Sequence, residues 1–113
     1  DLIMIREKIY KELNIDFNSL KEINARGLIV SSKSKEYDFV SRFFAPSTGV
    51  NEDPVTGSAH TTLTPYWSKK LNKKNLVAAQ LSDRGGILYC EDQGKRIIIG
   101  GKAIQYLKGE INI

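Results

Sequence analysis

The sequence is poor in the residues that build disulfide frameworks and metal sites. Its 113 residues include one cysteine, Cys90, and one histidine, His60. A single cysteine cannot form an internal disulfide, and one cysteine with one histidine does not give the spacing of a metal site. We therefore expect no bound metal and, by default, the reducing environment of the cytoplasm.

Long apolar runs are also missing. No run approaches the ~20 residues that a membrane span requires, and no signal-peptide pattern opens the chain. We find no internal repeat, linker or low-complexity segment, so residues 1–113 are expected to form one domain without a membrane partner. The chain opens without a methionine, directly on the apolar run Leu2–Ile5. We interpret it as a fragment whose upstream part is missing.

The charge is moderately basic, with 17 Lys and Arg against 13 Asp and Glu, a net charge of +4. Hydrophobic residues make up 41% of the chain and charged residues 27%, which is typical of a folded globular domain. A nucleic-acid-binding function would rest on this charge alone, because no motif that reads a groove or stacks bases accompanies it. A solvated basic surface is the better interpretation, and we expect no nucleic-acid partner.

Two helices are predicted before and after the middle of the chain. Asp16 offers an N-cap ahead of a short apolar stripe, and Gly27 follows where a left-handed residue commonly ends a helix. The main helix follows position 57, with an expected kink at Pro65. Its apolar stripe, expected in the core, is Ala59, Leu63, Tyr66, Trp67 and Leu71. The residues Ile9, Tyr10 and Leu13 also lie at helical spacing and predict one further turn.

Short strands account for most of the remaining chain. Leu2–Ile5 reads as a buried strand, and glycine-containing turns at 84–86, 92–94 and 100–101 separate the later ones. The other predicted strands are Leu28–Val30, Tyr37–Phe44, Leu76–Leu81, Ile87–Cys90, Arg96–Ile99 and Ala103–Leu107. The predicted class is α+β, a curled, mainly antiparallel, barrel-like sheet around one central helix.

The segment Ala45–His60 is too long for a simple connection between a strand and a helix. Pro54 forces Asp53 into an extended conformation just before the helix start at Thr56–Ser58. The first N–H groups of a helix lack partners and favour an anion, and Gly57 permits its close approach. Asp53 is then placed to carry a proton or to orient a substrate amine or hydroxyl.

Purely structural interpretations stay open at this point. Thr56 or Ser58 alone can cap the helix. One of the acids Glu52 and Asp53 can cap the helix or pair with a lysine while the other is solvated. Arg42 and Arg84 can steer an anionic substrate, although a strand-end arginine more often pairs with a local acid. His60 is more often a satisfied histidine than a catalytic one, and Cys90 more often a buried core residue.

The run Ser-Arg-Phe-Phe-Ala-Pro at 41–46, Gly49, and Glu-Asp-Pro-Val-Thr-Gly-Ser-Ala-His at 52–60 together resemble the signature of the PhzF-like isomerase family of phenazine biosynthesis. Gln80, Ser82 and Arg-Gly-Gly at 84–86 resemble a second landmark of that family. The resemblance covers essentially the whole chain. It implies the fold of diaminopimelate epimerase, in which two similar lobes enclose an active-site cleft. The length matches one lobe, the C-terminal one.

The resemblance implies cofactor-free proton transfer, an isomerisation or epimerisation at a carbon next to a carboxylate or conjugated system. Asp53 and Ser58 would be the catalytic residues. The substrate-binding residues would be Thr56, Gly57, Ala59, Arg84 and Gly85. The principal acid/base of the family, a glutamate, belongs to the N-terminal lobe, which is absent from this sequence. The fragment is therefore expected to be inactive alone.

Two functions are carried forward. The first is the C-terminal half of a PhzF-like isomerase acting on a small carboxylate metabolite, with the missing N-terminal lobe as its natural partner. The alternative is a stand-alone module that holds a small anion at the Thr56 helix start without catalysis. A homodimer is considered for the isolated chain, because a missing lobe would leave an apolar face.

Overall fold

The computed structural model describes residues 1–9 and 11–113. Within them, seven strands and two α-helices follow in the order β1, α1, β2, β3, β4, α2, β5, β6 and β7. The strands are Leu2–Arg6 (β1), Leu28–Lys33 (β2), Phe39–Ala45 (β3), Val50–Glu52 (β4), Asn75–Gln80 (β5), Gly86–Asp92 (β6) and Ile97–Gly100 (β7). The helices are Phe17–Glu22 (α1) and Gly57–Leu71 (α2), and a 3₁₀ turn spans Pro46–Thr48.

The strands form one mixed sheet in the order β1-β2-β3-β5-β6-β7, with β4 paired to β3. Pairing is parallel between β1 and β2 and between β3 and β5, and antiparallel elsewhere. The α+β class and the mainly antiparallel pairing are confirmed. The sheet is not closed in the described residues, since β1 and β7 end it without pairing to each other. The barrel-like curl of the sheet around a central helix stays a prediction.

Helix α2 packs on one face of the sheet because its apolar stripe repeats at helical spacing. Ala59, Leu63 and Trp67 are almost fully buried. The strands contribute alternate residues to the same core: Ile29, Phe39, Phe43, Ala45, Leu76, Ala78, Leu88 and Cys90. Tyr66, which was also expected in the core, is 41% exposed, so that prediction is wrong. Pro65 lies on the exposed side of a helix that runs unbroken from Gly57 to Leu71.

The opposite face of the sheet is covered by α1 and the segment before it. This second core contains Ile9, Leu20, Leu28, Val30, Val40, Phe44 and Ala79. Asp16 caps α1 as predicted, accepting hydrogen bonds from the N–H groups of Asn18 and Ser19. The turn predicted around Ile9, Tyr10 and Leu13 involves Tyr10, which lies outside the described residues.

Several expectations about glycines and strands need correction. Gly27 does not end α1 in a left-handed conformation; it lies where an added Cβ would come within 2.6 Å of the Phe44 carbonyl oxygen. Gly85 and Gly94 have the positive φ expected of tight turns, whereas Gly100 and Gly101 do not. Strand β1 forms as predicted, but all five of its residues are exposed and it is not buried.

The last part of the chain differs most from expectation. Residues 101–113 form no strand, so the predicted strand Ala103–Leu107 is wrong. Their large apolar side chains lie in solvent: Ile104, Tyr106, Leu107, Ile111 and Ile113. A strand needs a neighbouring edge to satisfy its backbone groups, and this segment has none among the described strands. No helix in residues 1–9 and 11–113 has the length and apolar character needed to cross a membrane.

Candidate active site

The N-terminus of α2 is open, because its flanking threonine does not cap it. Thr56 is extended and buried, and its side chain makes no hydrogen bond to the first turn of the helix. Its Oγ1 donates instead to Oδ2 of Asp53 at 2.6 Å. The interpretation of Thr56 as a simple helix cap is therefore wrong. The N–H groups at the start of α2 lack intrahelical acceptors and lie at the positive end of the helix dipole.

Asp53 is fixed in place at this open helix end. Its N–H donates to the carbonyl oxygen of Phe43 at 3.0 Å, and its own carbonyl accepts from Nε2 of Gln80 at 2.8 Å. The carboxylate is half-buried, and only Oδ2 has a hydrogen-bond donor within the described part of the chain. Oδ1 is thus left to accept a hydrogen bond from a ligand. Asp53 neither caps α2 nor pairs with a lysine here.

Gln80 is the residue that organises the segment between β4 and α2. Its side chain is fully buried at the end of β5, where Oε1 accepts from the Thr56 N–H at 2.8 Å. Its Nε2 donates to Oγ1 of Thr56 at 3.0 Å as well as to the Asp53 carbonyl. The side-chain amide of Gln80 therefore forms hydrogen bonds with three groups of the segment: the Thr56 N–H, Thr56 Oγ1 and the Asp53 carbonyl oxygen. The sequence marks Gln80 only as part of a motif, without this role.

A second clamp lies beside the first. Ser82 Oγ donates to the Pro54 carbonyl at 2.7 Å and accepts from the Gly85 N–H at 2.9 Å. Gly86 lies directly under the same segment, because a Cβ there would approach the Val55 side chain to 2.3 Å. The turn after β5 therefore supports the segment through hydrogen bonds and close packing.

Four of the seven predicted site residues line one cavity of about 450 Å³. These are Asp53, Thr56, Gly57 and Ser58. Gly57 and Ser58 are exposed, and a Cβ at Gly57 would meet no atom within 4 Å, so the helix start is accessible. The side chain of Ala59 is buried in the core, so only its backbone can contribute to the site. The cavity brings one carboxylate together with several hydrogen-bond donors.

Arg84 and Gly85 line a different cavity, of about 610 Å³. Val55 and Gly57 border both cavities, so the two lie next to each other. Tyr89, Ile99 and Lys102 also line the second cavity. Arg84 is exposed and makes no hydrogen bond or ion pair to the described residues. The two cavities together form an extended surface around the start of α2.

Arg26 is a member of the first cavity that sequence reasoning missed. Its Nη2 donates to Oγ of Ser58 at 3.1 Å, and its guanidinium lies 5.1 Å from the centre of the Phe43 ring. Asp1 forms an ion pair with it through both carboxylate oxygens. Arg26 precedes Ser58 by 32 residues, and no local pattern indicates this contact.

Arg42 is structural. Its guanidinium forms a two-pronged ion pair with Glu52, at 2.7 Å and 2.9 Å, and its Nη1 donates to the carbonyl oxygens of Lys11 and Leu13. Side chains alternate along a strand, so Arg42 lies on the face opposite Phe43, away from α2. The local-acid interpretation is confirmed for Arg42, and the same pair accounts for Glu52.

His60 is fully buried and satisfied at both nitrogens. Nδ1 lies 2.7 Å from the Thr56 carbonyl oxygen, so Nδ1 carries the proton and donates; Nε2 accepts from Ser41 Oγ at 3.3 Å. Burial lowers the pKa of His60 below its ordinary 6.5, although the hydrogen bond with Thr56 acts in the opposite direction. The interpretation of His60 as a satisfied histidine is confirmed. A role in the cleft is not supported, since the ring stacks on Phe39 in the core.

Cys90 is a buried residue of the same core, as predicted. Burial raises the pKa of its thiol, which disfavours the reactive thiolate. In residues 1–9 and 11–113, no three His, Cys, Asp or Glu side chains cluster in a way that could hold a metal ion.

Comparison with known proteins agrees with the motif. The model of the PhzC-PhzF family, described as phenazine biosynthesis-like protein, matches residues 2–109. The chain belongs to this family. The resemblance carried by the central segment is thus confirmed. The structure adds the hydrogen bonds and packing contacts that the motif residues make in this phenazine biosynthesis-like protein.

Individual relatives cover almost all of this chain. An uncharacterised isomerase of Halalkalibacterium halodurans is 52% identical over 107 residues, which are 93% of this chain and 40% of that protein. An uncharacterised isomerase of Pseudomonas aeruginosa is 49% identical over 95% of this chain and 41% of its own length. A crystal structure of a PhzF-family protein from Enterococcus faecalis matches with a TM-score of 0.82 and 47% identity, over 91% of this chain and 40% of the other. The chain therefore spans about two-fifths of these relatives.

Proposed function

We propose that residues 1–113 form the C-terminal lobe of a two-lobe, cofactor-independent isomerase that moves a proton on a small carboxylate-bearing metabolite. The observation that carries the proposal is the cavity in which the Asp53 carboxylate faces the open start of α2, with one oxygen that has no donor among residues 1–9 and 11–113. The lengths of the relatives support a single lobe, and two of them are named isomerases.

In this proposal the substrate carboxylate binds at the first turn of α2. The N–H groups near Gly57 and the hydroxyl of Ser58 donate to it, and the helix dipole stabilises its charge. Removing a proton from the neighbouring carbon moves negative charge onto that carboxylate. Donors already in position stabilise this charge more than they stabilise the substrate, which lowers the barrier.

Asp53 takes the second role. Its free Oδ1 accepts from a substrate amine or hydroxyl, or shares in the proton relay with the glutamate of the N-terminal lobe. Arg84 and Gly85, at the adjacent cavity, contact the part of the substrate that extends from the helix start. Ala59 contributes through its backbone, and Thr56 contributes through the hydroxyl that orients Asp53.

The N-terminal lobe completes the site in this proposal, with the sheet of each lobe curled around its central helix and both helix starts facing the cleft. The isolated chain then binds carboxylates but does not exchange protons. The alternative function, a binding module without catalysis, is favoured by one observation: the donors at α2 are exposed without a second lobe.

Proton transfer is tested by hydrogen exchange in D2O. The 113-residue chain is prepared alone and fused behind the N-terminal part of the H. halodurans relative, and each is incubated with a panel of 2-amino and 2-hydroxy acids. Proton NMR then follows loss of the signal from the carbon next to the carboxylate. We expect exchange with the fused protein only.

Site variants of the fused protein test the assigned roles. Asp53→Asn should lower the exchange rate by about 100-fold or more, because an amide cannot carry the proton or the charge. Ser58→Ala should lower it by about 10- to 100-fold through loss of one donor. Circular dichroism should show both variants folded. Full exchange rates in both variants would refute the roles, whereas carboxylate binding without any exchange would favour the binding module.

A further inference from the structure

Arg26 is held in a fixed orientation beside the helix start. Its Nε donates to Oδ1 of Asp1 at 2.8 Å and its Nη2 donates to Oδ2 of the same carboxylate. The guanidinium lies over the ring of Phe43, 5.1 Å from its centre. An arginine fork bound to a carboxylate and resting on an aromatic ring has few orientations available. Asp1 and Phe43 therefore determine where the remaining N–H groups of Arg26 point.

One of those groups meets Ser58. Nη2 lies 3.1 Å from Ser58 Oγ. A guanidinium can only donate hydrogen bonds, so the serine oxygen is the acceptor in this contact. The hydroxyl hydrogen of Ser58 is then left to donate elsewhere, and no acceptor for it exists among the described residues. Arg26 and Ser58 line the same cavity.

We infer that Arg26 is a positioning residue that fixes the Ser58 hydroxyl as a hydrogen-bond donor toward the ligand. The inference rests on the proposed function, in which Ser58 binds a carboxylate. It adds the reason why Ser58 is the donor in that hydrogen bond. With one lone pair of Ser58 Oγ occupied by Arg26 and its hydrogen without an acceptor among the described residues, the hydroxyl favours ligand groups that accept, such as a carboxylate, over groups that donate, such as an ammonium. Arg26 thereby selects for anions without contacting them.

The first test needs no ligand. Three-bond NMR couplings between Hα and Hβ of Ser58 report its χ1 rotamer in the 113-residue chain. We expect one rotamer in the parent chain and averaged couplings in Arg26→Met. The matched control is Arg96→Met, which removes the same charge from an exposed turn outside both cavities. Averaged couplings in the parent chain, or unchanged couplings in Arg26→Met, would overturn the inference.

The second test uses malonate as the probe. Chemical shifts of the Gly57 and Ser58 amides are followed during titration at constant ionic strength. We expect Arg26→Met to weaken malonate binding by about tenfold, the value of one hydrogen bond to a charged ligand, and Arg96→Met to weaken it less than about twofold. In a Ser58→Ala background, Arg26→Met should have little further effect, because both changes remove the same contact.

The outcomes separate the inference from the proposed function. Equal losses on Arg26→Met in both backgrounds would show that Arg26 acts by direct contact or by charge, which would refute the positioning role. If malonate shifts neither amide in the parent chain, the anion site itself fails. The χ1 couplings then still decide whether Arg26 orients Ser58.

Discussion

At the scale of single residues, the site depends on polar groups whose hydrogen bonds are nearly all made within the protein. Asp53, Thr56 and Gln80 each use most of their donors and acceptors on one another. What is left over, one carboxylate oxygen and one serine hydrogen, faces the cavity. Such arrangements hold polar groups in place before a ligand arrives, and the proposed electrostatic catalysis requires this condition.

His60 leads to a prediction about pH. Burial lowers the pKa of His60 in the folded state. In the pH range between this lowered pKa and the ordinary value of 6.5, the unfolded chain therefore binds a proton at His60 more readily than the folded chain does. The contribution of neutral His60 to the free energy of unfolding is therefore fully present above about pH 6.5 and is lost as the pH falls through that range. Asp16 and Asp38, with pKa values below the ordinary 3.8, stay ionised there.

Urea unfolding at about pH 7.5 and about pH 5, followed by the fluorescence of the single tryptophan, Trp67, measures this effect. We expect the parent chain to lose more stability than His60→Asn, which keeps a donor for the Thr56 carbonyl but does not titrate. The variant should be less stable at the higher pH, since it loses the packing on Phe39. An equal loss in both proteins would show that His60 is not responsible.

At the scale of elements, strand β5 controls the segment before α2. Parallel pairing of β3 with β5 brings the ends of both strands to the same edge of the sheet, with Ser41 opposite Gln80. The Leu81 N–H donates to the Ser41 carbonyl and extends this pairing. Gln80 thus reaches Asp53 and Thr56 across the sheet edge, although 24 residues separate it from Thr56.

We predict that Gln80→Leu destabilises the chain by about 2–4 kcal/mol, because it leaves the buried Thr56 N–H and the Asp53 carbonyl without partners. Urea unfolding measures the loss. Gln93→Leu, in an exposed turn, is the matched control and should change stability by less than about 0.5 kcal/mol. A loss at Gln80 no larger than that of the control would mean that the clamp contributes little.

The sequence predicts elements well where one pattern determines them. The stripe of α2, the cap of α1 and most strands follow from spacing and local chemistry. The alternation of β3 would also have placed Arg42 on the face away from the helix. Arg26 and the role of Gln80 were not predictable in this way, because each acts on residues 24 or more positions distant. Local patterns carry no information on such contacts.

At the scale of the whole molecule, apolar surface is exposed at both ends of the chain. Leu2, Ile3, Met4 and Ile5 of β1 are 38–48% exposed, and the tail beyond residue 101 presents Ile104 and Leu107 to solvent. The predicted strand Ala103–Leu107 had the right composition for a strand. The prediction failed because a strand needs a neighbouring strand to pair with, and the residue pattern of one segment does not show whether a sheet edge lies beside it.

We predict that the isolated chain self-associates through this apolar surface. Sedimentation velocity over an about hundredfold range of concentration should show the mean mass rising with concentration. Replacing Ile104 and Leu107 by Ser should reduce the effect, whereas Val50→Ser, an exposed apolar residue on β4, should not. A mass that is constant across the range would exclude association.

The hydrogen bonds of Gln80 also have a consequence for folding fidelity. Leu76, Ala78 and Gln80 share the α2 face of β5, and their neighbours share the other. A slip of β5 by one position against β3 would turn Gln80 to the wrong side and bring an alanine or leucine opposite Thr56. Only the correct alignment of the strands satisfies the segment before α2. The hydrogen bonds of this segment therefore report on the register of the sheet, because they can form only in the native alignment of β5 with β3.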